Sequence, residues 1–385
     1  MKKVYLEPSW KMRSISKELI VNPPDGYEFV TLNSAEESMI QAVGRLPFSY
    51  SLFHGISKLV PMTLTKSYAE KFRKRPDNTD LTYAFEHLVF RREPWVVDTE
   101  YVSLLVGFNT SHFDQYKGIV QRALTSEYCK KIICWHEAAR KTILINLPRE
   151  EISQKLEKVP LAVSKKEFSK QFSGNKIKLF FVGSVNILGE FEIKGGREVL
   201  EAFALLNKKY DNLELVIRSD LPQNIKQKYQ GYNNIKIIEE HLPLAKLEEE
   251  FKSADIFVLP AHNTPWMAFL DAMSFELPIV TIDAWANAEI IEDGKTGLLA
   301  KKSEKIPYYE GNAIPAFGMP QFNNAIKTTD PQVVKRLAEK TSILIDNSEL
   351  RRNMGKVGRW EVEHGKFSIE NRNTKLKRIF DEATA

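Results

Sequence analysis

Between residues 262 and 283 the chain reads HNTPWMAFLDAMSFELPIVTID, with Asn263, Thr264 and Pro265 where a helix would begin. Thr264 is placed to cap that helix. Pro265 suits its first position, where a missing N–H is harmless. Asp271 lies seven residues after Thr264, two turns on and at nearly the same angular position, so its carboxylate shares the face below the helix start. The free N–H groups of Met267 and its neighbours Trp266 and Ala268, at the positive helix end, form an anion site. A diphosphate at that end and a ribose at the acid suit this arrangement; the alternative for Asp271 alone is a carboxylate facing water. Trp266, Phe269, Leu270, Met273 and Leu277 recur at helical spacing and read as the buried stripe.

A second set of candidates follows apolar runs upstream. Gly183 and Ser184 end the run KIKLFFVGS, and Lys194, Gly195 and Gly196 open the next long helical segment. Glycines there allow close backbone approach, and a lysine beside them neutralises a phosphate. Neither GxxxxGK[ST] nor GxGxxG is present. Arg218, Ser219 and Asp220 follow NLELVI, Glu240 and His241 follow NIKII, Ala261 and His262 precede Asn263, and Asp283 follows PIVTI.

These residues need a scaffold, and the second half of the chain supplies its pattern. Short apolar runs alternate with amphipathic helical segments, the signature of βα units and a parallel sheet covered on both faces. Ligands in such sheets bind beyond the carboxyl ends of the strands, where the candidates stand. The first half is less regular, with strands expected at MKKVYLE, YEFVTLN, LTYAFE, PWVVDTE and KKIICW and helices at SAEESMIQAVGRL and SLLVGF. A polar, lysine-rich linker is expected at about residues 158–175, a long loop at 301–326, and a pair of helices with a Gly-containing break at the end.

Composition bounds the function. The 385 residues imply two domains. A share of 43% hydrophobic and 27% charged residues belongs to a globular chain. Net charge is +5, and residues 1–170 sum to about +6, so the basic excess sits in the first half. No nucleic-acid-binding motif accompanies it, and an anionic sugar, phosphate or membrane surface fits better than nucleic acid. Cys129 and Cys134 form neither a disulfide framework nor a metal or redox motif. With no signal-peptide pattern and no membrane-length apolar run, a cytoplasmic protein is expected. LTKSYAEKFRKRP, residues 64–76, reads either as a solvated helix or as a basic, partly apolar one resting on anionic lipid at the inner membrane face.

The blocks FFVGS, KGGREVLEAFALL, ADIFVLPA, the 262–283 stretch, NAEIIEDGKTGLLA and DNSELRRNMGKVGR, in that order, resemble the C-terminal half of the retaining group 1 (family 4) glycosyltransferases with the GT-B fold. The resemblance spans roughly residues 177–370. It implies an α/β protein of two Rossmann-like domains facing a cleft: 1–165 on the acceptor side, 166–365 binding the nucleotide sugar, and 366–385 a helix packing toward the N-terminal domain. It further implies a metal-independent transferase that needs no cofactor. A hexose would move from a UDP- or GDP-linked donor to a glycan or lipid-linked acceptor.

Where the family has two glutamates in the 262–283 helix, this chain has Asn263, toward the donor sugar, and Asp271, toward the ribose. Lys194 matches the family's phosphate-binding lysine; Ser184 stands where its arginine is expected, and Arg218 is the candidate replacement. Glu289 matches a post-strand acid that is more often structural. Glu100 occupies the place of a histidine facing the donor sugar, with His87 as runner-up, and Pro8, Ser9, Trp10 and Lys11 replace the usual Gly-Gly loop. Asn263 and Ser184 motivate an alternative, a catalytically impaired protein that binds nucleotide sugar or glycan as a partner or regulator. A sugar-nucleotide epimerase is a third reading.

Overall fold

The computed structural model describes residues 1–7, 14–31, 61–72, 75–107, 110–170, 176–185, 189–310 and 313–385. Five runs expected to be strands in the first half become β1 (Lys2–Glu7), β2 (Tyr27–Val30), β3 (Leu81–Phe85), β4 (Trp95–Thr99) and β5 (Cys129–Cys134). A sixth, β6 (Leu156–Lys158), falls where the linker was expected to begin. Its three residues are too few to show alternation. The strands pair in parallel in the order β2-β1-β3-β4-β5-β6. β3 and β4 are buried throughout, which is why they read as mostly apolar runs without alternation. Helices close over the sheet, with Trp95, Phe113, Ile132 and Ile143 in one core.

The second sheet joins β7 (Ile177–Val182), β8 (Leu213–Arg218), β9 (Ile235–Ile238), β10 (Ile256–Val258), β11 (Ile279–Ile282) and β12 (Gly297–Ala300). Its order is β12-β11-β10-β7-β8-β9, again parallel. Numbered from β7, this is the doubly wound order 3-2-1-4-5-6, and the order reverses between β7 and β10. Phe251, on the helix Leu244–Ser253, stacks on Phe275 at 5.4 Å and meets Phe180 edge-on at 5.0 Å.

These sheets define two units. One comprises Met1–Ser164, Tyr309–Met319 and Ile369–Ala385, the other Lys165–Tyr308 and Pro320–Ser368. The segment expected as a loop at 301–326 instead carries a hairpin, β13 (Tyr309–Glu310) with β14 (Ile314–Pro315), and a short helix, Pro320–Ala325. Ile314 enters the core of the first unit. The expected helix at 103–108 is a single 3-10 turn, Val102–Leu105, and the basic helix at 64–76 ends at Glu70. Arg75 beyond it turns back to the carbonyl of Thr79 and to Glu93, so its charge is spent on the unit's own surface. Residues 8–11 and 34–46 lie outside the described residues.

Gly355 and Gly358 sit inside the helix Ser348–Glu363, where glycine is unfavourable. Close packing explains them. A Cβ on Gly355 would lie 2.1 Å from the carbonyl oxygen of Glu276, and one on Gly358 would lie 3.3 Å from Met273. Both cysteines are buried and free, and burial raises the Cys129 thiol to about 12. No described helix is long and apolar enough to cross a membrane.

Candidate functional site

Of the sequence candidates, Gly183, Ser184, Lys194, Arg218, Asn263, Thr264, Trp266, Met267, Ala268 and Asp271 all fall in the second unit. The loop after β7 carries Gly183 and Ser184, and the loop after β10 carries Asn263; these are the two loops flanking the reversal in strand order. Crevices form at such points because neighbouring connections leave in opposite directions.

Lys194 closes the short helix Glu190–Ile193, and Gly195 follows with φ 76°, a left-handed conformation that glycine adopts freely. A Cβ on Gly195 would lie 2.4 Å from the carbonyl oxygen of Pro260, so this turn packs directly on the end of the β10 run. Lys194 Nζ, in consequence, donates to Asn263 Oδ1 at 3.0 Å, with Glu190 Oε2 at 3.8 Å. The cation is held by one neutral amide and one distant carboxylate, a set that leaves its charge largely uncompensated.

Arg218, the last residue of β8, donates through one terminal nitrogen to the carbonyl of Gly183 at 2.8 Å. Its Nε is buried with no hydrogen-bond partner among the described residues. Burial lowers the guanidinium pKa, yet it remains charged near neutrality. Gly183 has no room for a side chain, since a Cβ would lie 2.5 Å from Ser219 Oγ. Arg218 is thus fixed at the strand end next to Ser184, the position where a phosphate-binding cation was missing.

The helix spans Trp266–Ser274, one residue later than expected. Pro265, not Thr264, occupies the cap position and makes no side-chain cap; Thr264 is buried, and its hydroxyl accepts from the N–H of Ala286 at 3.1 Å instead. A buried N–H outside any helix has the stronger claim on that oxygen. Trp266, Phe269, Leu270, Met273 and Leu277 are buried, as their spacing requires. Within the helix only Met267, Ala268 and Asp271 keep partial exposure. Those three share one face by helical periodicity, and the N–H groups of Met267 and Ala268 belong to the first turn. Glu289, also half-buried, lies on the helix Asn287–Ile290.

Two candidates belong to the first unit. Glu100 follows β4 and is half-buried. His87 is fully buried, with Nδ1 2.9 Å from the carbonyl of Phe85 and Nε2 2.8 Å from Glu7 Oε1, a structural histidine with both nitrogens engaged. Arg91 pairs with the other oxygen of Glu7. Burial alone would raise the Glu7 carboxyl, but the His87 hydrogen bond and the charges of His87 and Arg91 hold it down at about 2. Sequence reasoning missed this cluster, because its members lie 80 positions apart.

Residues 176–307 match the family model "Glycosyl transferases group 1". The matched segment contains β7 to β12 and every second-unit candidate named above. The group 1 glycosyltransferase match covers that segment, about a third of the chain. Over 144 residues the chain is 26% identical to alpha-maltose-1-phosphate synthase of Mycolicibacterium smegmatis, which covers 37% of this chain and 31% of that protein. The chain thus matches under a third of the length of that curated relative.

Among solved structures, Anabaena Alr3699/HepE in complex with UDP aligns over 99% of this chain and 100% of its own, with TM-score 0.59 and 13% identity. A glycosyltransferase from Rickettsia africae ESF-5 aligns over 99% and 98%, with TM-score 0.62 and 11% identity. S. aureus TarM, in complex with fondaparinux, alpha-GlcNAc-glycerol and UDP, aligns over 82% and 54%, with TM-score 0.56 and 16% identity. The shared architecture is the GT-B fold, two Rossmann-like units, as the sequence blocks implied.

Proposed function

We propose that the protein transfers a hexose from a nucleotide-diphosphate sugar, UDP- or GDP-linked, to a glycan or lipid-linked acceptor, with retention and without a metal ion. The observation that carries this reading is the hydrogen bond of Lys194 to Asn263 at the strand-order reversal of the segment that matches the group 1 glycosyltransferase model, with Arg218 held on the carbonyl of Gly183 at the end of the adjacent strand pair. The diphosphate lies against Lys194, Arg218 and Ser184, with the N–H groups of Met267 and Ala268 completing the cradle. Asp271, on the same helix face, accepts from the ribose hydroxyls. Asn263 faces the donor sugar while its oxygen holds Lys194. HepE and TarM are both known in complex with UDP, which supports a uridine donor.

The chemistry follows from charge. As the bond between the anomeric carbon and the diphosphate oxygen breaks, negative charge grows on the leaving group. Two fixed cations and a helix N-terminus stabilise it in place of a divalent ion. The carboxamide of Asn263 adds no negative charge near the leaving group. Acceptor recognition is assigned to the first unit, and Glu100, after β4, takes the place of the histidine that faces the donor sugar.

The protein is proposed to work in the cytoplasm, with peripheral contact to anionic membrane around residues 64–76. There Phe72 is 85% exposed, Tyr68 is 44% exposed, and Lys71 adds charge.

The test is release of UDP or GDP from the hexose conjugates in the presence of EDTA, with the anomeric configuration of any product read by NMR. Slow donor hydrolysis by the wild type, lost in Asp271→Ala, supports transfer. Tight nucleotide binding with no turnover of any donor favours the impaired binding protein, and a changed sugar configuration on the intact nucleotide would mark an epimerase.

A further inference from the structure

The loop between β10 and the helix Trp266–Ser274 has no regular structure of its own, so the place of Asn263 depends on side-chain anchors. Three hold it. Asn287 Nδ2 donates to the carbonyl of Ala261 at 2.9 Å, Thr264 accepts from the N–H of Ala286, and His262 turns inward. The first two anchors tie the loop to the segment after β11. Of these three, His262 is the one that reaches the other half of the site, where Lys194 already meets Asn263. Its backbone N–H donates to the carbonyl of Ile193, next to Lys194, at 2.8 Å. Its Nε2 lies 3.3 Å from Glu198 Oε1, on the first turn of the helix Gly196–Leu206 that Lys194 precedes.

The imidazole is 1% exposed and fully framed. Nδ1 lies 2.9 Å from the Tyr308 hydroxyl, and Phe322 stands edge-on to the ring at 6.5 Å. Nε2 makes no hydrogen bond among the described residues, and Glu198 Oε1 at 3.3 Å is the charged group it faces. Glu198 is 2% exposed, and its second oxygen has no hydrogen-bond partner among the described residues. Burying Glu198 Oε2 and His262 Nε2 without hydrogen-bond partners is costly, which sets this cluster apart from ordinary core packing.

We propose that His262 is a positioning residue for the donor diphosphate: pinned between Glu198 and Tyr308, it holds the Asn263 loop against the Lys194 turn. The inference rests on the donor site assigned above and adds its supporting shell. Because His262 sets the separation of Lys194 and Asn263 rather than the nucleoside contacts, its loss weakens diphosphate binding selectively.

Isothermal titration of the full chain with UDP and UMP, and with GDP and GMP, tests this. His262→Ala is expected to lower diphosphate affinity about tenfold while monophosphate affinity stays within about twofold, the scale of one charge-assisted hydrogen bond. His262→Gln, which restores a donor toward Glu198, is expected to recover most of the loss. Tyr308→Phe, which removes a single hydroxyl, is expected to show a smaller loss of the same selectivity and serves if His262→Ala fails to fold. Unchanged diphosphate affinity in His262→Ala, with the loss intact in Lys194→Ala, overturns the proposal and leaves the donor site standing. Equal losses for diphosphate and monophosphate also overturn it, by reducing His262 to a core residue. If the wild type binds none of these nucleotides, both the proposal and the donor site fall.

Discussion

Lys194 and Arg218 carry the electrostatics of the account, and they divide the work unequally. Lys194 Nζ touches a neutral amide, whereas Arg218 is half-occupied by the carbonyl of Gly183. Lys194→Ala is therefore expected to weaken nucleoside-diphosphate binding by about 2 kcal/mol, a typical charge-assisted contact, with little change in melting temperature. Arg218→Ala is expected to cost less alone and to couple with Lys194→Ala in a double-mutant cycle, as the proposed shared diphosphate requires. Additivity within about 0.5 kcal/mol would remove Arg218 from the site.

A second prediction at this scale concerns Glu7. Its carboxyl titrates near 2 in the folded chain, below the ordinary value of 4.5. A depressed carboxyl stabilises the fold above its unfolded value and loses that contribution as pH falls through 4.5 toward 2. Glu7→Gln should thus be less stable than the wild type at pH 7, by on the order of 3 kcal/mol since one pKa unit is worth about 1.4. The gap should close near pH 2, as denaturant titrations at several pH values would show. A gap independent of pH would mean that packing, not charge, is what Glu7 supplies.

At the scale of elements, the two glycine approaches decide geometry. Gly195 needs both its left-handed φ and the space against Pro260, so Gly195→Ala should distort the turn and abolish diphosphate binding. Gly355→Ala puts a Cβ against the carbonyl of Glu276 and should destabilise the fold by about 1–3 kcal/mol, the range for overpacking. Chemical denaturation checks both. The element pattern was largely legible in the sequence, because β3, β4, β7, β8, β10 and β11 are short, mostly apolar runs. β6 and β12 were not, being three and four residues long with Glu157 or Gly297 inside them. Thr264 looked like a cap because Ser and Thr before a helix usually are. Its competing partner, the N–H of Ala286, lies 22 positions away and leaves no local trace. His262 was visible only as a post-strand residue; Glu198 and Tyr308, which give it meaning, come from elements that pattern alone does not bring together.

For the whole molecule, the sequence pointed to two α/β domains and to the family blocks of the second. What it left unread was that residues 309–319 go with the first unit. Residues 309–319 and 369–385 belong with the first unit although they follow segments of the second in the chain. The basic excess of the first half, with exposed Phe72 beside Lys71, leads to one prediction at this scale. Sedimentation with anionic vesicles should be measurable at low salt, fall as salt rises, and weaken in Phe72→Ala. Binding to neutral vesicles of equal strength would contradict an electrostatic contact.

The central claim is a donor nucleotide-diphosphate site in the second unit, between the Lys194 turn and the helix bearing Asp271. A thermal-shift titration of the wild type, Lys194→Ala and Asp271→Ala with UDP, GDP and ADP tests it most directly, because a ligand at a hundred times its dissociation constant adds about 2.7 kcal/mol of stability. The account predicts a rise in melting temperature with UDP or GDP that both substitutions sharply reduce. No shift with any of the three, or a shift that survives both substitutions, would contradict it.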